Sequence, residues 1–149
     1  MSNFAVRTVA GIIGIFILIG VLYIGGFLMN LALFALVLIG LFELRNALKN
    51  IDIELNPILL VICSLFGLFE ITVYKSLKLT FYLIFYAAAF DLLFFKQRIE
   101  TASALTFSLQ YLMIGFYSMA LIDNKIFIGL IFIIAYSTDT FAYLIGSRF

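Results

Sequence analysis

The sequence predicts an all-α fold, a polytopic integral membrane bundle of about six helices, and two observations predict it. Of the 149 residues 66% are hydrophobic and only 11% are charged, with a mean hydropathy of +1.25. Soluble chains are roughly 45–50% apolar and about 25% charged, so this one lacks the polar side chains to cover a water-exposed surface. The apolar residues also fall into bilayer-length runs separated by short charged segments.

Composition removes several function classes. The same polar shortfall excludes a soluble enzyme and a disordered tail. Nine basic and eight acidic residues leave a net charge of +1, so nothing supplies the phosphate-backbone affinity of a nucleic-acid binder. There is no His, and the single Cys, Cys63, lies inside an apolar run. A His/Cys zinc site and an internal disulfide are therefore both excluded. A bound metal would need oxygen ligands, as magnesium does.

A crossing takes about 20 apolar residues, with about 17 the lower limit. The first run, Thr8 to Phe42, would stretch to roughly 52 Å as one helix. Gly25-Gly26 stands at its middle, and paired glycines favour a tight turn. Two helices, about 8–24 and 27–44, then form a hairpin that returns Arg45 to the face of Arg7. The competing arrangement is one long tilted helix. Pro57, after the polar stretch 45–56, suits the first turn of a third helix over about 57–74. A fourth covers about 79–95, and a charged loop, 96–100, follows it. Thr101 is a candidate cap for a fifth helix over about 101–122. Asp123-Asn124-Lys125 then turns the chain into a sixth, about 126–147. Residues 1–149 read as one transmembrane region with no room for a soluble domain.

Basic residues set the orientation. With the N-terminus inside, inner loops hold Arg7, Arg45, Lys49, Lys96, Arg98 and Arg148, and outer loops hold Lys75, Lys78 and Lys125. That asymmetry predicts a multi-pass protein of the cytoplasmic (inner) membrane with a cytoplasmic N-terminus. No signal peptide is expected, because the first apolar run lacks a small-residue cleavage site and leads into a second span.

Ionisable groups within the hydrocarbon are the informative residues of such a protein. Asp52, Glu54, Glu100 and Asp123 fall in loops, and Glu43 can snorkel to the interface beside Arg45. Glu70 and Asp91 each stand five residues before a lysine, Lys75 and Lys96, and read as structural groups near the membrane surface. Asp139 differs. Its nearest basic residue along the chain, Arg148, is nine positions on, roughly 13 Å of helix and too far for a direct pair. A carboxylate at that depth costs about 2.5–3.5 kcal/mol. A partner helix, a cation, a water-filled cavity or protonation must offset it.

Tyr136-Ser137-Thr138-Asp139-Thr140 is the most polar five-residue run within any predicted span. Tyr143 and Gly146 follow on the helical face of Asp139, and Ala135 and Ala142 flank it with small side chains that permit close helix approach. Two readings stand: a hydrogen-bonded packing face around a protonated Asp139, or an ion or substrate site in the cytoplasmic half of the membrane.

The last fourteen residues, Tyr136 to Phe149, resemble a motif of the phosphatidate cytidylyltransferases (CDP-diacylglycerol synthases). That family carries Asp-Thr-x-Ala-Tyr-x-x-Gly in a membrane helix, commonly followed by Phe-Gly and a basic cluster. Asp139, Thr140, Ala142, Tyr143, Gly146 and Phe149 fall on matching positions. Collinear but weaker likenesses are Arg7 opening the first span, the Gly25-Gly26 turn, Glu43 ending the second span, and Tyr111 with Gly115 in the fifth. The likeness runs over all 149 residues. Family members carry their strongest signature in a C-terminal half: a Lys-Asp pair, a His-Gly-Gly and a closing Asp-Arg-x-Asp. With no His, these residues do not include it. The resemblance therefore implies the N-terminal part of a longer enzyme (a fragment, a truncated gene or a split subunit), inactive by itself.

It further implies transfer of CMP from CTP to phosphatidate in phospholipid biosynthesis, giving CDP-diacylglycerol and pyrophosphate. The expected partners are CTP, phosphatidate and membrane lipids, and a homodimer is compatible with the reading. Two polyanions must meet, so Mg2+ is the expected cofactor. Asp139 would be a metal ligand, and Ser137, Thr140 and Tyr143 would line the substrate cavity. Alternatives are a CTP-dependent lipid or polyprenol kinase with a similar helical core, or a small cation-binding membrane transporter. The transporter requires a second deep acid or a broken helix facing Asp139. A purely structural subunit leaves the polar run unexplained.

Overall fold

The computed structural model describes residues 3–146, with the side chains of 3–12, 139, 143 and 144 outside the description. All described regular structure is helical, in six helices. They are α1 (Asn3–Ile24), α2 (Gly26–Lys49), α3 (Pro57–Tyr74), α4 (Lys78–Phe94), α5 (99–119) and α6 (Lys125–Gly146). Within α5 a π turn, Gln110–Ile114, joins Ile99–Leu109 to Gly115–Met119.

The α1–α2 hairpin rests on glycine. Gly25 (φ 66°) and Gly26 (φ 55°) both take positive φ, where a side chain is disfavoured. One long helix is thereby excluded. At the start of α3, Asn56 Oδ1 accepts from Ile58 N at 3.0 Å and Pro57 occupies the first helical turn, where its missing N–H costs nothing. Several boundaries differ from the sequence reading: α1 begins at Asn3 and not near residue 8, and α5 ends at Met119 and not near residue 122. Helix α2 continues to Lys49, and Arg45 Nε reaches out to donate to the Leu55 carbonyl at 3.0 Å. Helix α5 starts at Ile99, so Thr101 is not its cap; Arg98 takes that position and Thr101 is buried in the first turn.

Helices α2 to α5 form the core. From α2 come Leu33, Val37 and Leu41, spaced one turn apart on one stripe; Leu60 and Cys63 (α3), Ile84 (α4) and Leu105, Leu109 and Met113 (α5) meet them. The α3–α5 approach depends on Gly67. A Cβ there would lie 2.5 Å from Tyr117 Cε2 and 2.7 Å from Met113 Cε, so only a hydrogen fits. Met113 lies in the π turn and Tyr117 just beyond it. The Tyr117 hydroxyl crosses the interface to donate to Ser64 O at 2.8 Å.

Polarity is inverted relative to a soluble bundle. Ser64, Glu70, Thr80, Asp91, Thr101 and Ser108 are buried, while large apolar side chains such as Phe16, Phe85, Leu93 and Phe107 face outward. Such a surface suits hydrocarbon and not water. Among the described residues, Gly26–Lys49, Pro57–Tyr74 and Lys125–Ala142 are long and apolar enough to cross a membrane. The described apolar part of α1, Ile13–Ile24, and the 17-residue α4 are shorter.

Helix α6 is attached by its first half. Ile128 is buried, Phe132 packs on the core, and Gly129 faces Leu22 of α1. From Ile133 to Thr138 only Ser137 is half-buried, and the other side chains are exposed.

Candidate functional site

The polar run occupies the second half of α6. Thr138 Oγ1 donates to Ile134 O and Thr140 Oγ1 to Tyr136 O, each at 2.8 Å. Each hydroxyl thus spends its proton on the backbone four residues back, which lets it sit in an apolar helix. What remains on each oxygen is lone pairs, suited to accept from a donor or to approach a cation. Ser137 is half-buried and Thr140 exposed. The side chains of Asp139 and Tyr143 lie outside the described residues; the backbone places both, with Gly146, along one stripe of α6. Neither of the two main cavities is lined by a residue of this run.

The two buried acids among the described residues, Glu70 and Asp91, are treated in opposite ways. Glu70, buried near the end of α3, does not pair with Lys75. Its Oε1 accepts from Leu79 N at 2.9 Å, and its Oε2 accepts from Thr80 N at 2.6 Å and from Thr80 Oγ1. It is the cap of α4, supplied by the preceding helix. Asp91 does not pair with Lys96. It is fully buried, and neither carboxylate oxygen has a hydrogen-bond partner among the described residues. The polar side chain facing it is that of Asn56, whose Oδ1 is already engaged in capping α3. Its inward direction was readable: Thr80, Ile84, Ala87 and Asp91 repeat at helical spacing and are all buried. The ion pairs among the described residues, Lys49–Glu54 at 3.4 Å and Arg98–Glu100 at 2.7 Å, are exposed and worth little.

For a metal, the described residues offer no group of three or more His, Cys, Asp or Glu side chains. Magnesium needs fewer. It is commonly held by one or two carboxylates, with substrate phosphates and water completing the shell. The run 137–140 supplies oxygen donors only, so its chemistry fits one edge of such a site.

A family model described as "Cytidylyltransferase family" matches residues 5–149, the polar run included. No curated protein and no solved structure matches the chain. The match spans all six helices and agrees with the family that the Asp139-to-Gly146 motif resembles. The chain belongs to the cytidylyltransferase family, a family of CTP-using nucleotidyl transferases.

Proposed function

We propose that the chain serves transfer of CMP from CTP to a lipid phosphate, phosphatidate, at the cytoplasmic face of the inner membrane. The observation that carries this is the Asp-Thr-x-Ala-Tyr-x-x-Gly run from Asp139 to Gly146 inside a family match of nearly the whole chain. The outward apolar surface supports an acceptor that itself resides in the bilayer. A multi-pass arrangement with both ends of the described bundle at lipid–water boundaries is part of the same proposal.

In the reaction, an oxygen of the phosphatidate phosphate attacks the α-phosphorus of CTP. A new P–O bond forms, the bond to the bridging α–β oxygen breaks, and pyrophosphate leaves. Bound Mg2+ would supply charge neutralisation between the two polyanions and alignment for in-line attack. Asp139 would hold one position of that ion. Ser137, Thr140 and Tyr143 would line the approach, the Thr140 oxygen with lone pairs outward because its proton is held by Tyr136 O.

The test supplies phosphatidate vesicles, Mg2+ and CTP labelled at either the α- or the γ-phosphate. The chain is assayed alone and joined to a segment bearing the family's Lys-Asp, His-Gly-Gly and Asp-Arg-x-Asp signature. The α-label is expected in lipid for the joined protein, with turnover abolished by Asp139→Asn. Near-normal turnover of that variant removes Asp139 from the mechanism. Label from the γ-phosphate in lipid marks a kinase instead. The transporter alternative gains no support from Asp91, because that second buried acid faces Asn56 between α3 and α4.

A further inference from the structure

At the end of the bundle where α1 turns into α2, a cavity of about 300 Å³ opens between that turn, the end of α3 and the start of α6. Its floor is apolar, made by the buried Met29, Ile71 and Ile128. Two ammonium-bearing side chains, Lys75 and Lys125, line it against one carboxylate, Asp123. Among the described residues neither lysine is in an ion pair. Lys75 is released by Glu70, whose carboxylate is consumed by the N-terminus of α4. Lys125 is fixed in place: its Nζ donates to Tyr23 O at 3.1 Å and sits so close over Gly25 that a Cβ there would be 2.7 Å away.

Backbone irregularities converge on the same rim. Gly25, Gly26 and Lys75 all have positive φ, and Lys75 takes that left-handed conformation without being glycine. Beside them Asn30 Nδ2 donates to Thr72 Oγ1 at 3.3 Å, tying α2 to α3 at the cavity wall. The cavity lies far from the polar run of α6. Lys125 begins that helix and Asp139 follows fourteen residues later, an axial separation of roughly 21 Å. It is a separate feature of the molecule, and it stands whether or not the transfer reaction proposed above is correct.

We propose that this cavity is a binding site for a phosphate group, supplied by the headgroup of an anionic phospholipid. Two cations over an apolar floor match a phosphate whose ester continues into hydrocarbon. A free phosphate would use the lysines and leave the floor idle. Exposed Phe27 and Leu28 beside the rim offer acyl chains a continuous apolar path. On the orientation the basic residues predict, this end faces away from the cytoplasm. Lysines are under-represented there, and a local anionic ligand gives these two a reason to be present.

Native mass spectrometry of the purified chain, titrated with phosphatidylglycerol, phosphatidylcholine or inorganic phosphate, tests the site. Wild type is expected to bind phosphatidylglycerol at least ~tenfold more tightly than phosphatidylcholine, with each lysine contributing about fivefold. Lys75→Gln should lose about fivefold, and Lys75→Gln with Lys125→Gln should remove the preference. Lys96→Gln, the same charge change at the opposite end, should keep it. Lys125→Arg, which keeps the positive charge, should also keep it. Displacement of the lipid by millimolar inorganic phosphate would retain the phosphate site and assign it to a soluble source. An unchanged lipid preference in Lys75→Gln and in the double variant would overturn the proposal.

Discussion

The two ends of the α3–α4 pair place a carboxylate in similar sequence surroundings and treat it in opposite ways. Glu70 and Asp91 are both buried, each five residues before a lysine. At one end, Lys75 takes φ 46° and turns the chain so that the first N–H groups of α4 come over Glu70. Helix N-termini carry unsatisfied donors and partial positive charge, so this carboxylate is fully used. At the other end Asp91 closes the last turn of α4, where the backbone offers carbonyls. Its own carbonyl accepts from Phe95 N and Gln97 N, while its side chain, facing Asn56, has no hydrogen-bond partner among the described residues. A buried acid thus costs or stabilises according to which helix terminus it meets, and not according to the charge nearest in sequence.

The largest expected effect breaks the satisfied end. Glu70→Ala removes three hydrogen bonds and orphans the buried N–H of Thr80 and the part-buried N–H of Leu79, for a loss of ~2–4 kcal/mol in unfolding free energy. Denaturant titration in micelles, followed by circular dichroism, reads it; a loss below ~1 kcal/mol would mean that water or another group caps α4 as well. Between the two ends, Gly67→Ala forces a methyl into Tyr117 and Met113 and should cost ~1–3 kcal/mol by the same measurement. A neutral result would show that the α3–α5 approach yields more freely than its distances imply. The smallest effect belongs to the unsatisfied end. Asp91→Asn removes a buried, unpartnered carboxylate at constant size, so stability should stay within ~1 kcal/mol or rise. A loss matching that of Glu70→Ala would erase the contrast and point to a bound partner on Asp91.

Local chemistry was legible in the sequence; encounters between elements were not. Gly25-Gly26 announced the hairpin and Asn56-Pro57 the start of α3, because turn and cap chemistry acts within a few residues. Thr101 misled because a hydroxyl just before an apolar run looks like a cap, whereas the packing of α5 on α4 draws it into the core. The role of Glu70 depends on where the next helix begins in space, which counting to Lys75 does not reveal. The stripe Thr80, Ile84, Ala87 and Asp91 at helical spacing carries the inward direction of Asp91, which its distance from Lys96 along the chain does not. For the candidate site, Asp139 stood out because nothing along the chain offsets it. What packs before it is a matter of inter-helix contact. The described second half of α6 says little about it: most of its described side chains are exposed, and its threonines turn back on their own backbone.

The most direct measurement is the affinity of the reconstituted chain for CTP, with and without Mg2+, in wild type and in Asp139→Asn. Magnesium-dependent binding that weakens at least ~tenfold in the variant, about 1.4 kcal/mol, is the predicted result. Equal affinity in the two proteins, or binding indifferent to Mg2+, would contradict a metal–nucleotide role for the polar run of α6.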